Sequence, residues 1–240
     1  MDQSPPLEQT GIGVVVPYDF ALDRELWRWV SADITLHVTR MPYVPLAATM
    51  EMAIHISDPV LLARGATEIL AVSPAVTAYA CTSGSFVGGL AGEAALVTAM
   101  TEAGALAAIT TSGALLTALR HLNITRIATV TPYTADLTAG LSSYLREAGV
   151  DVAATAGLGL TSRIWTVPYD VTAQLVRDTD RPDAEAVFIS CTNLPTYDVI
   201  APLEAELGKP VLTANQVTMW SASTIAGHKA VGPGQQLLAR

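Results

Sequence analysis

Two stretches decide the fold of this chain: Val76-Thr77-Ala78-Tyr79-Ala80-Cys81-Thr82-Ser83 and Ala186-Val187-Phe188-Ile189-Ser190-Cys191-Thr192-Asn193. Each is an apolar run of strand length that ends in a cysteine followed by hydroxyl or amide side chains. These are the only 2 cysteines in the chain, and both fall where a strand gives way to a loop. Two further landmarks recur at nearly the same offset. Val15-Val16-Pro17-Tyr18 is echoed by Val130-Thr131-Pro132-Tyr133, and Thr110-Thr111-Ser112 by Thr213-Ala214-Asn215. Such matched landmarks indicate a duplicated half.

Working outward, strands are expected at 11–17, 33–39, 76–81, 106–110, 126–131, 151–156, 184–190 and 210–213. Helices are expected at 59–70, 88–103, 112–122, 136–148, 170–178, 197–207 and 215–226, with Gly149 and Gly208 as stops. Strands alternating with helices imply parallel sheets covered on both faces, an α/β fold. The repeat implies two similar lobes, 11–114 and 115–225, related by a pseudo-twofold axis, with segments crossing between them near each end. Parallel sheets bind ligands at the carboxyl ends of their strands. The duplication therefore places Cys81 and Cys191 opposite one another in the cleft between the lobes.

Composition excludes several classes. Hydrophobic residues make up 50% of the 240 and charged residues 15%, a profile that builds a core rather than a disordered chain. The net charge of −9 and the absence of any Lys/Arg run argue against nucleic acid. No uninterrupted apolar stretch is long enough for a membrane span. The polar start, with Pro5-Pro6, does not read as a signal peptide, so a cytoplasmic location with two free thiols is expected. His37, His55, His121 and His228 are scattered without metal spacing, and Gly84, Gly88 and Gly89 lack dinucleotide spacing. No metal and no cofactor are expected.

A thiol at a strand end that meets the N–H groups of the next helix is expected to have its pKa drawn from about 8.5 toward neutrality. Two such thiols on either face of a planar carbon allow a proton to leave one face and return on the other. Each cysteine alone is equally consistent with a buried structural residue; their matched positions favour chemistry. Thr82-Ser83 and Thr192-Asn193 offer donors for a carboxylate or an enediolate, or else cap helices. Tyr133 ends its own strand as a hydroxyl donor or a half-buried aromatic. Pro17 and Asp19 hold the equivalent place in the first lobe, Asp19 reading best as the cap of a helix beginning near Ala21. Ser112 and Asn215 read as helix caps, Trp27-Arg28-Trp29 as a packing or subunit-contact face, and Gly232-Pro233-Gly234 as a terminal turn or a loop over the cleft.

These residues resemble the aspartate/glutamate racemase superfamily, and within it the branch of maleate cis-trans isomerases and arylmalonate decarboxylases. The resemblance runs from about Gly11 to about Gly234 and rests on Ala80-Cys81-Thr82-Ser83, Ser190-Cys191-Thr192-Asn193, Val15-Val16-Pro17 and Val130-Thr131-Pro132-Tyr133. It implies two flavodoxin-like lobes, a cofactor-independent reaction on a small carboxylate or dicarboxylate, and a homo-oligomer. In the isomerases one cysteine attacks the alkene and the other supports proton transfer, positions matched by Cys81 and Cys191, with Tyr133 matching the substrate-binding tyrosine. The decarboxylases keep the cysteine matched by Cys191 as proton donor to an enediolate, with a Thr-Ser oxyanion pair matched by Thr82-Ser83. They carry glycine where this chain has Cys81. Maleate isomerases have asparagines near the places of Asp19-Phe20 and Ser162-Arg163. Their loss argues against maleate itself, and Phe20 suits a more apolar substrate. The resemblance thus implies a two-cysteine isomerase or racemase, with a malonate-type decarboxylase as the alternative and a non-catalytic metabolite binder as the third reading.

Overall fold

The computed structural model describes residues 9–239. The Pro5-Pro6 segment, read above as no signal peptide, lies outside the described residues. The first sheet holds β1 (Thr10–Val16), β2 (Ile34–Arg40), β3 (Val76–Tyr79) and β4 (Ala108–Thr110) in the order β2-β1-β3-β4. The second holds β5 (Arg126–Thr131), β6 (Asp151–Gly157), β7 (Ala186–Ile189) and β8 (Val211–Thr213) in the order β6-β5-β7-β8. Every pairing is parallel and the two orders correspond strand for strand. In the register Val15 faces Tyr79, and Val130 faces Ile189, so the two central strand ends of each sheet finish side by side. All eight strands coincide with the apolar runs of the sequence. Parallel strands buried on both faces carry continuous hydrophobic runs, which makes them easy to read.

The helices are α1 (Asp23–Leu26), α2 (Met50–Ile56), α3 (Pro59–Glu68), α4 (Thr82–Phe86), α5 (Gly89–Glu102), α6 (Thr111–Leu122), α7 (Ala135–Glu147), α8 (Tyr169–Thr179), α9 (Tyr197–Leu207) and α10 (Ala214–Ile225). The helix expected near Ala21 is the short α1, beginning at Asp23; α2 and α4 were not legible, being at most 7 residues long, too short for a helical period to repeat. The expected stops hold: Gly149 and Gly208 adopt φ of 77° and 68°, a conformation that needs no Cβ.

Ser112 and Asn215 are not the caps. The last residue of each preceding strand is: Thr110 Oγ1 accepts from Gly113 N, and Thr213 forms a capping box with Gln216. Strand and helix join with no loop between them, which moves each cap two residues upstream.

α6 and α10 exchange sheets. Leu115, Ala118 and Leu119 of α6, which follows the first sheet, pack into the core around Val130 and Phe188 of the second. Met219 and Ala222 of α10, which follows the second sheet, pack into the core around Ile12 and Val76 of the first. The two helices also pack on each other, and Thr111 and Thr218 share a buried hydroxyl bond of 2.8 Å. The exchange keys the two sheets together and holds their strand ends in fixed register.

Trp29 is fully buried and donates from Nε1 to Gln235 Oε1 at 2.9 Å, whereas Trp27 is 45% exposed. The packing half of the expectation for this cluster therefore applies to Trp29. Val231 N bonds the Trp29 carbonyl, so the turn at 232–234 is tied to this corner and is absent from the cleft lining. Among the described residues no helix is long and apolar enough to cross a membrane, and no cluster of three potential metal ligands occurs.

Candidate active site

The carboxyl ends of β1, β3, β5 and β7 converge on one narrow cleft. Every candidate from the sequence lines it: Cys81, Thr82 and Ser83 after β3; Cys191, Thr192 and Asn193 after β7; Tyr133 after β5; Pro17 and Asp19 after β1. Apolar wall is added by Phe20, Met52, Ile56, Leu137 and Ile164, with Ala48 and Thr49 at the rim. Of these only Phe20 was foreseen. Met52 and Ile56 sit on α2, where Met52, Ala53 and Ile56 are buried, an i, i+1, i+4 stripe that was the available signal.

The two cysteines are held differently. Cys81 is extended, with φ −149° and ψ 118°, and is the N-cap of α4; its Sγ accepts from Gly84 N at 3.4 Å and lies 3.8 Å from Ser83 Oγ. Cys191 has φ +87°, a backbone conformation that costs a residue with Cβ roughly 1–3 kcal/mol. No helix follows it until Tyr197.

Neither thiol is acidified, contrary to the expectation. Burial drives Cys81 up to about 11 and Cys191 up to about 12. The Gly84 N–H beside Cys81 and the Asn193 N–H beside Cys191 pull the other way and recover only part of the desolvation cost. The thiols are 3% and 8% exposed, so water stabilises neither anion. Both therefore rest as neutral thiols, and a thiolate must be generated by proton transfer inside the closed site.

The two threonines clasp the lobes. Thr82 Oγ1 accepts from Cys191 N at 3.3 Å, and Thr192 Oγ1 donates to the Ala80 carbonyl at 3.1 Å. A hydroxyl has one proton. Thr192 spends its proton on the Ala80 carbonyl, whereas the Thr82 hydroxyl accepts and leaves its own proton free to be donated. The matched residues are thus unequal as donors.

Asn193 is also committed: its Nδ2 donates to the Asp19 carbonyl at 3.0 Å and its Oδ1 accepts from Ala21 N at 2.9 Å. This bridge shapes the loop after β1 and removes Asp19 from the capping role given it above. α1 starts at Asp23, and its N-cap, Leu22, makes no side-chain bond. Tyr133 is buried, its hydroxyl accepting from Ser190 Oγ at 3.4 Å; burial holds it well above 10.0, as a neutral phenol.

Behind Cys191 lies a carboxylate the sequence did not flag. Glu25, 7% exposed, accepts from Thr196 N at 3.2 Å and from Thr196 Oγ1 at 3.0 Å. Asn215 Nδ2 donates to the Thr192 carbonyl at 2.8 Å and reaches Glu25 Oε1 at 3.4 Å. Together they pin both ends of the loop carrying Cys191. A glutamate between Arg24 and Leu26 looks like any surface helix residue, so no local pattern exposes it.

Known proteins match this arrangement. The family model described as "Arylmalonate decarboxylase" matches residues 58–239. Arylmalonate decarboxylase of Bordetella bronchiseptica is 36% identical over 65% of this chain and 67% of its own. Maleate isomerase of Nocardia farcinica is 28% identical over 95% of each chain. A mutant of the Nocardia farcinica maleate cis-trans isomerase, solved with a covalently bound succinylcysteine intermediate, superposes with TM-score 0.86 at 25% identity, covering 95% of this chain and 98% of that one. The fold, the matched residues and the family model agree that the chain belongs to the arylmalonate decarboxylase family.

Proposed function

We propose that this chain is a cofactor-independent two-cysteine isomerase or racemase of the maleate cis-trans isomerase type, acting on a small carboxylate that bears an apolar substituent. The observation that carries the reading is the presence of both Cys81 and Cys191 on one cleft with the Thr82-Ser83 pair between them.

Cys81 caps α4 and has the Gly84 N–H and the Ser83 hydroxyl beside its sulfur. It is the nucleophile in this reading. The Cys81 proton passes to a carboxylate oxygen of the bound substrate as the sulfur adds to the alkene carbon. The S–H bond breaks, a C–S bond forms, the electron pair of the double bond moves onto the carboxyl group as an enediolate, and the proton returns to sulfur when the C–S bond later breaks. Thr82, Ser83 and Tyr133 hold that oxyanion by hydrogen bonds. The former double bond is now single and rotates; collapse of the enediolate expels the sulfur and leaves the other geometric isomer. Cys191, the less acidic thiol, donates a proton to the carbanion and takes it back. On a saturated chiral acid the same pair removes the α-proton on one face and returns one on the other. The succinylcysteine intermediate of the Nocardia enzyme supports the addition step. Phe20, Met52, Ile56, Leu137 and Ile164 support an apolar substituent.

A second reading is favoured by the family match and the 36% identity to the Bordetella enzyme. It is malonate-type decarboxylation, in which CO2 leaves, the electron pair becomes the enediolate, and Cys191 protonates it. Incubating wild type, Cys81→Ala and Cys191→Ala with maleate, 2-arylmalonates and chiral 2-arylpropionates in D2O, followed by NMR, separates the two. Isomerisation or α-deuteration that fails in both variants supports the two-thiol reading. Release of CO2 that survives Cys81→Ala replaces it with the decarboxylase.

A further inference from the structure

Asp19 is the one carboxylate on the cleft, and among the described residues no lysine, arginine or histidine lines it. It shares that lining with Cys81, Cys191 and Tyr133, and the Asn193 amide donates to its main-chain carbonyl. Tyr18, beside it in the chain, turns its hydroxyl to the Leu46 carbonyl at 3.1 Å. Of the nearby cations, Arg40 pairs with Asp23 at 2.7 Å and caps the Phe20 carbonyl, while the exposed Arg163 lines an outer pocket that Asp19 also borders, without pairing to it. Asp19 makes no ion pair among the described residues. An ionised Asp19 facing an anionic substrate in this cleft, with no cation paired to it, is an arrangement the site disfavours. A neutral carboxyl group in the same place is a hydrogen-bond donor.

We propose that Asp19 binds the substrate as the neutral acid, donating its proton to a substrate carboxylate oxygen, so that each anionic ligand enters the cleft together with one proton. This rests on the carboxylate-substrate reading above and names the residue that recognises the charge. Burial already moves Asp19 upward from 3.8, opposed only in part by its own N–H and Asn193. The bound anion moves it further, since each charge disfavours the other. Above the pKa of free Asp19 the apparent affinity for a carboxylate falls about tenfold per pH unit, as the neutral form becomes scarcer.

The test is isothermal titration calorimetry of wild type and Asp19→Asn with succinate and with phenylacetate, between pH 5 and 8, in buffers of different ionisation enthalpy. The wild type is expected to take up about one proton per ligand and to weaken steeply with pH. Asp19→Asn, which keeps the shape and a donor, is expected to bind with no uptake and a flat Kd. Because that variant could misfold, 13C NMR of aspartate-labelled wild type supplies a second readout: the Asp19 carboxyl resonance shifts to the protonated position on ligand binding. Wild-type binding without proton uptake, equal uptake in Asp19→Asn, an unshifted resonance, or no binding of either probe overturns the proposal. Turnover with pH-flat binding overturns Asp19 alone; uptake abolished by Asp19→Asn without any turnover overturns the two-thiol reaction and leaves Asp19 standing.

Discussion

Cys81 and Cys191 occupy the same place in two copies of one supersecondary unit, yet their surroundings differ. After β3 the chain enters a helix at once, so Cys81 sits in relaxed extended backbone with a helix N–H on its sulfur. After β7 the chain runs through a loop braced by Glu25 and Asn215, and Cys191 is held at positive φ. Duplication supplies two thiols on one cleft; divergence of the following segments gives them different backbones and different hydrogen-bond neighbours. A symmetric pair would have no built-in choice of base and acid. In the proposed two-thiol reaction the difference in backbone supplies it.

The hardest way to break this comparison is to remove each sulfur in turn. Cys81→Ala and Cys191→Ala are each expected to lower kcat/KM for isomerisation by at least about 10³-fold, measured with the substrate that the D2O screen identifies. Retention of isomerase activity in either variant would end the two-thiol account.

The next effect separates the thiols by acidity. Thiolate is the species that is alkylated, so iodoacetamide labelling of both cysteines is expected to quicken about tenfold per pH unit from pH 7 to 9, with Cys81 ahead of Cys191. The same raised values bear on stability. The folded protein holds its thiol protons above 9.0 while the unfolded chain loses them. Stability is therefore intact below 9.0 and declines as pH rises through about 11 for Cys81 and about 12 for Cys191. Thermal melts of wild type and Cys81→Ala across that window check it, the variant being expected to decline less.

Thr82 and Thr192 sharpen the comparison further. Thr82→Val leaves the buried Cys191 N–H without an acceptor and is expected to cost about 1–3 kcal/mol in urea unfolding. It is also expected to reduce kcat, through loss of the oxyanion donor. Thr192→Val frees only a carbonyl and is expected to cost less, about 1 kcal/mol, with the smaller effect on kcat.

The smallest expected effect concerns backbone alone. Cys191→Gly relieves the positive φ and is expected to be about 1 kcal/mol more stable than Cys191→Ala. The equivalent pair at position 81, where φ is −149°, is expected to reverse, glycine being the less stable.

Much of this was legible before any coordinates. β3 and β7 announced themselves because a parallel strand buried on both faces must be apolar throughout, and the hydroxyl-rich loops after them marked the strand ends. The caps at Thr110 and Thr213 were misplaced by two residues, because a cap is defined by where the strand stops and no periodicity reports that. Asp19 was misread for a related reason: an acidic residue ahead of a helix matches a cap pattern. Only the distant Asn193 bridge shows that the chain turns it into the cleft instead.

The sequence by itself determined the α/β class, the eight strands, the duplication and the polar part of the cleft lining at the strand ends, because each is encoded in local pattern and in repeat. Tertiary structure alone decided which proton each hydroxyl can spare, that burial outweighs the helix N–H at both thiols, and that Glu25 and Asn215 brace the Cys191 loop. Those outcomes depend on desolvation and on partners far apart in the chain, such as Glu25 with Thr196 and Cys191 with Thr82. No window of sequence contains both members of such a pair.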